Sequence, residues 1–291
     1  IVMVSLLRKI VPNDVELRKL YGAIVVIAAN AGGAWTPIGD VTTTMLWIGG
    51  QITTLPTMAS LFIPSIVAVV IPLFLMNATV PELKGELPEA QEEKAGKMIV
   101  RSELVFFTGL ACLIFVPVFK TMTGMPPYVG MLAGLSVMWL LTDVIHYGET
   151  GRDQFRAPAA LSRIDTQGIL FFLGILMSVS CLNSAGILGA LASWLSVHLP
   201  STSILAGAIG LASAVIDNVP LVAATMGMYT KVVMPVNCLF WQLVAFCAGT
   251  GGSCLIIGSA AGVAFMGMER VDFGWYAKRI SIYALLGYLG G

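Results

Sequence analysis

The sequence predicts an all-α, polytopic membrane protein built from inverted repeats, with re-entrant helical hairpins and broken transmembrane helices. Three observations lead there. Of the 291 residues, 57% are hydrophobic and 11% charged, with a mean hydropathy of +0.88, which is far from a soluble globular composition. Two glycine-rich interruptions, "NAGGAWTPIGD" at Asn30–Asp40 and "GTGGSCLIIGSAAG" at Gly249–Gly262, lie inside apolar sequence roughly 220 residues apart. Finally, the lysines and arginines sort to one side of the predicted spans.

A spanning helix needs about 20 mostly apolar residues. Tyr21–Gly50 is apolar but interrupted by the first motif. Met58–Met76 is a span that carries Pro64 and Pro72, and Asn77–Arg101 is a charged, helix-poor loop. Glu103–Phe119 and Pro127–Thr142 are the next spans, and Asp143–Asp165 is polar and interfacial. Gly168–Gly186 spans again, whereas Ile187–Leu199 is short and suits the membrane surface. Ser203–Tyr229 carries "DNVP" at its centre, Cys238–Gly267 is interrupted by the second motif, and Trp275–Gly291 starts a last span. Trp47, Trp139, Trp194, Trp241 and Trp275 fall near predicted ends and read as interface anchors.

The basic residues choose between topologies. If Ser203–Tyr229 enters and returns at Asp217–Pro220, each arm is about 20 Å of helix, enough to reach mid-membrane. Fourteen of the sixteen Lys and Arg then share one side, with only Lys120 and Lys231 opposite. A single crossing gives twelve against four. The re-entrant reading fits the positive-inside rule better and places loops 8–19, 77–101 and 143–165 in the cytoplasm or its organellar equivalent.

The order of hairpin, polar loop and broken helix recurs. Residues 1–101 therefore read as the remainder of a first inverted repeat with its charged loop. Residues 102–291 read as the second repeat, with hairpin 203–229 and broken helix 238–267. "IVMVSLL" becomes the arm of a first hairpin whose tip precedes Ile1, so a fragment lacking that tip is expected. Inverted repeats of this kind are a common plan of secondary transporters.

Paired glycines and Pro37 break a helix where unpaired backbone groups are costly, so such breaks persist where protein, water or a ligand meets them. Thr250 and Ser253 with the carbonyls near Ala248–Gly251 offer oxygens to a small cation, and Thr36 and Asp40, with Thr42 beside them, do so in the first half. Asp217 carries the sharpest signal. A mid-membrane carboxylate costs at least about 2.5–3.5 kcal/mol and persists when it binds a cation or proton. Asn218 adds an oxygen, and Asn30 stands at the start of the first break. The bland readings are helix packing for the glycines and N-caps for Asp217 and Asp40. Asn183 reads as an interhelical hydrogen-bonding residue, and Glu103 and Asp143 as interfacial.

Zero net charge and a pI near 6.9 argue against a nucleic-acid partner. Five cysteines without CxxC spacing read as buried packing thiols, and His146 and His198 are too far apart for a metal cluster. The "IGD" at 38–40 is a poor match to an intramembrane aspartyl protease, because Pro37 spoils the GxGD pattern.

The segments "VVIAANAGGAWTPIGDVTTTMLWIGGQI", "LSRIDTQGILFFLGIL", "SAVIDNVPLVAATMGMY" and "FWQLVAFCAGTGGSCLIIGSAAGVAFMGME" resemble the NhaD-type sodium/proton antiporters. These belong to an ion transporter superfamily that also holds arsenite and dicarboxylate carriers, and the wording is nearest to plant and algal chloroplast members. The resemblance implies exchange of Na⁺ or Li⁺ for H⁺ on a fold with two re-entrant hairpins, with no cofactor. It places Asp217 and Asn218 at the second hairpin tip, and Thr250, Gly251, Gly252 and Ser253 in the facing break. Asn30, Gly32, Gly33, Thr36 and Asp40 form the first break. Asp217, Asn218, Thr250 and Ser253 are the expected Na⁺ ligands. The expected partners are the lipid bilayer, Na⁺ and H⁺, with a homodimer allowed for. The expected membrane is the chloroplast envelope for a plant or algal chain and the bacterial inner membrane otherwise. An arsenite or dicarboxylate carrier, with or without Na⁺ coupling, is the alternative.

Overall fold

The computed structural model describes residues 2–84, 102–145, 166–199, 201–229 and 232–291. Among them are helices and short connections and no strand. The chain divides into two compact units, Ile1–Gln91 with Ile175–Gly291, and Glu92–Gly174. In the second unit, α5 (Ser102–Thr123) pairs with α6 (Pro127–Ile145). Small residues set the approach: Gly134 lies on Cys112 and Gly130 on Phe119. Both helices are long and apolar enough to cross a membrane, as is α4 (Thr54–Thr79) of the first unit.

The first unit begins with α1 (Val2–Ile10), α2 (Val15–Ala34), α3 (Val41–Ile48), α4 and a 3₁₀ turn at Pro81–Lys84. After α7 (Thr166–Ser184) come α8 (Ile187–His198), α9 (Thr202–Ser213), α10 (Asn218–Met228) and α11 (Leu239–Gly251). The chain ends in α12 (Ala260–Glu269), α13 (Phe273–Arg279) and α14 (Ser281–Gly290).

Local chemistry sets these boundaries. Asp14 caps α2 by accepting from the Leu17 N–H at 2.9 Å. The stretch Trp35–Gly39, with Pro37, ends it, and Asp40 opens α3 in a capping box with Thr43. Ser259 opens α12 by accepting from the Gly262 N–H at 3.2 Å. Gly186, at φ +75°, turns the chain so that Ile187–Leu195 lies 79° from Leu176–Ser184. In α4, Pro72 cannot donate to the Ala68 carbonyl, and the backbone of Gly287 in α14 packs against that oxygen and the proline ring.

The two broken helices, α2–α3 and α11–α12, run in opposite directions past each other. At one end Arg18 of α2 meets Glu269 of α12. In the middle Asn30 meets Ser253 and Ser259, and Ala34 meets Gly249. At the other end Asn237, before α11, donates its N–H to the Gln51 carbonyl at 2.9 Å, and its side chain is bonded to Thr53. Both breaks are built alike. A methyl on Gly33 would stand 2.9 Å from the Gly39 oxygen and 3.1 Å from Asp40 Cβ, and one on Gly252 would stand 2.5 Å from the Gly258 oxygen and 3.1 Å from Ser259 Cβ. Gly-Gly followed by Gly and a cap at the same spacing thus closes the same loop twice, in opposite orientation.

Helices α9 and α10 approach and leave these breaks. Gly207 meets Tyr288, Gly210 meets Cys247 and Ala214 meets Gly258, so α9 runs alongside α11 into the middle. Asn218 then meets Asp40, and Met226 meets Gly49, so α10 runs back alongside α3. The connection Ala214–Asp217 lies at the level of both breaks.

Some expectations need correction. Trp47 and Trp241 are not interface anchors: they are 2% and 0% exposed, and Trp241 Nε1 donates to the Met234 carbonyl. Both indoles lie on the protein-facing side of their helix ends, whereas the neighbouring Ile48 and Leu239 face outward. Trp139 and Trp194 are exposed. Only Cys247 and Cys254 are buried thiols; Cys112 and Cys238 are partly exposed and Cys181 exposed. Asn183 makes no interhelical hydrogen bond among the described residues; it stands on an exposed face near Gly227. The last apolar stretch is two helices broken at Ile280, not one continuous span. Most of the polar stretches 77–101 and 143–165, and His146, lie outside the described residues.

Candidate functional site

Polar side chains gather at the breaks in two separate clusters. The first is acidic. Asp40 presents Oδ1 to the Val41 N–H at 2.8 Å as a helix cap, which leaves Oδ2 facing away from the cap. That oxygen accepts from Thr42 Oγ1 at 2.5 Å and from Asn218 Nδ2 at 3.2 Å. Asp217, the neighbour of Asn218, is half-buried and within electrostatic reach of Asp40. It stands at the N-cap position of α10, with its carboxylate near the Asn218 and Val219 N–H groups. Among the described residues neither carboxylate has a Lys or Arg partner.

The second cluster is neutral. Asn30, 9% exposed, donates to Ser253 Oγ at 2.9 Å and to Ser259 Oγ at 2.8 Å. Ser253 also offers its carbonyl to Tyr276 Oη at 2.9 Å. Thr250 turns its hydroxyl back on the Phe246 carbonyl at 2.6 Å. Together Thr250 and Ser253 line a cavity of about 10 Å³ with Ile27, Ala31, Ala68, Ala284 and Tyr288. That is about the least space that holds one water.

The predicted site residues therefore divide. Asp217, Asn218 and Asp40 converge, and Thr36 sits beside them, its hydroxyl on Gly39. Asn30, Thr250 and Ser253 occupy the neutral cluster, and no hydrogen bond among the described residues joins them to the acids. Gly33 and Gly252 close the loops. Gly251 lets α11 touch the Gly210 carbonyl of α9. Gly32 belongs to neither cluster: it borders an open, apolar cavity of about 250 Å³ with Ala28, Trp35 and Phe62. Among the described residues no group of three or more His, Cys, Asp or Glu forms. A cation at the acids would draw its remaining oxygens from Asn218, Thr42 or the unwound backbone. Those are hard ligands suited to an alkali ion.

Sequence reasoning passed over Ser259, which stands in the second break where Asp40 stands in the first; aligning the two motifs residue by residue exposes it. It also passed over Tyr276 and Tyr288, whose partners are backbone carbonyls and carry no sequence signal.

The protein-family description "Citrate transporter" (CitMHS) matches residues 1–247. Sodium/proton antiporter 1 of Arabidopsis thaliana is 62% identical across the whole chain, which covers 50% of that relative. Sodium/proton antiporter 2 of the same plant is 56% identical across the whole chain and is 70% covered. The Na(+)/H(+) antiporter NhaD of Vibrio parahaemolyticus is 31% identical over 95% of the chain, again with 70% of the relative covered. The chain thus spans half to about two thirds of the length of these curated relatives. No solved structure matches it. With two oppositely running broken helices, an all-helical membrane fold and these relatives, the chain belongs to the NhaD-type sodium/proton antiporter family, within the transporters that the citrate transporter description covers.

Proposed function

We propose that the chain carries the ion site of a secondary transporter exchanging Na⁺ or Li⁺ for H⁺, and that Asp217 and Asp40 together form that site. One observation supports the reading most: the Asn218 amide donates to Asp40 Oδ2 at 3.2 Å, which holds Asp217 close to Asp40 with, among the described residues, no basic side chain to neutralise either. Two carboxylates so placed repel when both are ionised, and a bound cation or proton relieves the repulsion. Loading one expels the other. At the first break the C-terminal end of α2 adds partial negative charge, which favours a cation, while the N-termini of α3 and α10 favour the ionised form of Asp40 and Asp217.

In this reading the α9–α10 pair is a re-entrant hairpin whose tip delivers Asp217 and Asn218. Thr250 and Ser253 then hold the second break in shape. The plant relatives support a plant or algal origin, for which the resemblance implies the chloroplast envelope. A homodimer belongs to the same proposal and is read from the mass of the detergent-solubilised full-length protein.

The citrate transporter description favours an anion carrier as a second reading. The acids weigh against it, because a polyanion would meet two carboxylates and, among the described residues, no cation beside them. Both readings are tested in everted vesicles carrying the full-length protein. Adding Na⁺ or Li⁺ should collapse a preformed ΔpH, and Asp217→Asn should prevent the collapse at normal expression. Uptake of citrate or arsenite without ΔpH collapse on Na⁺ would establish the second reading instead.

A further inference from the structure

Far from the acids, where α2 starts and α12 ends, lies an open cavity of about 390 Å³ lined by Arg8, Val15, Arg18, Lys19, Met268, Glu269 and Arg270. Four cations meet one carboxylate in its wall. Glu269 is fully engaged: Oε1 accepts from Arg8 Nε and Oε2 from Arg18 Nε, each at 2.6 Å. Arg8 also donates to the Met268 carbonyl, and Arg18 to the carbonyls of Val11 and Pro12 at 3.1 Å. Lys19 is paired with Glu16 at 2.9 Å and stands 5.7 Å over the Trp275 ring. These contacts fix the guanidinium groups in place and leave the cavity cationic.

The Arg270 guanidinium has no polar partner among the described residues, and the residue is exposed. Its backbone is left-handed, at φ +51°, one of two non-glycine residues so placed among those described. A left-handed turn normally costs a residue with a Cβ about 1 kcal/mol or more, and Gly or Asn would relieve it. An arginine kept there at that cost, beside a wall already carrying three cations, points to a ligand that the charge serves.

We propose that this cavity binds a phosphate oxyanion, presented by an anionic phospholipid of the surrounding leaflet. Arg8 and Arg18 are held as a preformed fork, and Lys19 and Arg270 close on the phosphate. The apolar wall favours a lipid over free phosphate: Val15 is 47% exposed at the cavity, and the indole of Trp275 beneath Lys19 suits the interface. The site is independent of the exchange reading, since nothing in it touches Asp40 or Asp217.

The test is lipid retention by the full-length protein, measured by native mass spectrometry after reconstitution in phosphatidylcholine nanodiscs with and without phosphatidylglycerol. Phosphatidylglycerol should be retained selectively. Arg270→Asn, which keeps a residue tolerant of the left-handed turn, and Lys19→Gln should each lower that retention about fivefold. Both variants should keep wild-type thermal midpoints in phosphatidylcholine, and either alone decides the matter if the other does not fold. Retention unchanged by both substitutions overturns the proposal, as does equal retention of phosphatidylcholine. Inorganic phosphate raising the midpoint as far as the anionic lipid does would overturn the lipid assignment.

Discussion

The two breaks share one backbone design and differ in the group that caps the returning helix. In the first break Asp40 caps α3, with one oxygen on the backbone and the other turned to Thr42 and Asn218. In the second, Ser259 caps α12 and takes a hydrogen bond from Asn30. A hydroxyl and a carboxylate cap almost equally well. The difference between them is charge. The acidic break keeps a carboxylate oxygen that is not used in capping, whereas the neutral break is closed on itself by protein. In the proposed reading, near-identical loops thus support a site on one side and a joint on the other.

The sharpest way to break this contrast is Asp40→Ser, which turns the first cap into the second. Capping survives, so thermal stability should move by no more than about 0.5 kcal/mol, while Na⁺-driven ΔpH collapse should fall to background as it does for Asp217→Asn. Normal exchange by Asp40→Ser would reduce Asp40 to a cap and remove it from the site.

The next largest effect concerns the ends that hold the broken helices together. Glu269 has a side chain 2% exposed and bridges Arg8 and Arg18. Glu269→Gln should destabilise by about 1–3 kcal/mol, because the largely buried Arg18 loses its counter-charge while the half-exposed Arg8 is resolvated by water. The pH dependence follows from the same geometry. Burial pushes the Glu269 carboxyl up, but the hydrogen bonds and charges of Arg18 and Arg8 outweigh it and hold the group below its ordinary 4.5. Its stabilising contribution is therefore complete above pH 4.5 and is lost as pH falls through the lower folded value. Thermal midpoints of wild type should drop across that acid window, and those of Glu269→Gln should drop less.

At the crossing itself, Asn30→Ala removes the donor shared by Ser253 and Ser259 and leaves both hydroxyls buried. A loss of about 2 kcal/mol is expected in thermal unfolding, with ion affinity altered less than by either acid substitution. An Asn30→Ala protein that keeps its stability but no longer discriminates Na⁺ from K⁺ would move the neutral cluster into the ion site.

These contrasts show what the sequence could and could not carry. The breaks were legible because Gly-Gly, Pro37 and the caps act locally, and Asp217 because a charge in apolar sequence stands out whatever surrounds it. Pairing was not legible. That Asn218 reaches Asp40 rather than Thr250 or Ser253, across 178 positions, depends on how α10 returns alongside α3, and no local signal encodes it. Trp47 and Trp241 failed for the same reason: position along a span says where a residue lies in depth, not whether lipid or protein covers it. Glu269 escaped notice because it ends an apolar helix, where a lone glutamate reads as solvated until Arg8 and Arg18 arrive from far along the chain.

The glycines, which one motif presents as equivalents, separate a costly substitution from the smallest effect of all. Space makes the difference. A methyl on Gly251 would collide with the Gly210 backbone carbonyl, which cannot yield as a flexible side chain can. Gly251→Ala should therefore cost about 1–3 kcal/mol by pushing α9, and with it Asp217, off the second break. A methyl on Gly32 meets nothing within 4 Å, in the last turn of α2, where alanine is favoured over glycine by up to about 1 kcal/mol. Gly32→Ala should leave exchange intact and raise the thermal midpoint slightly. Equal damage from both substitutions would mean that the face of Gly32 meets a moving element during transport. The open side of the first break would then belong to the transport cycle as much as the closed side does.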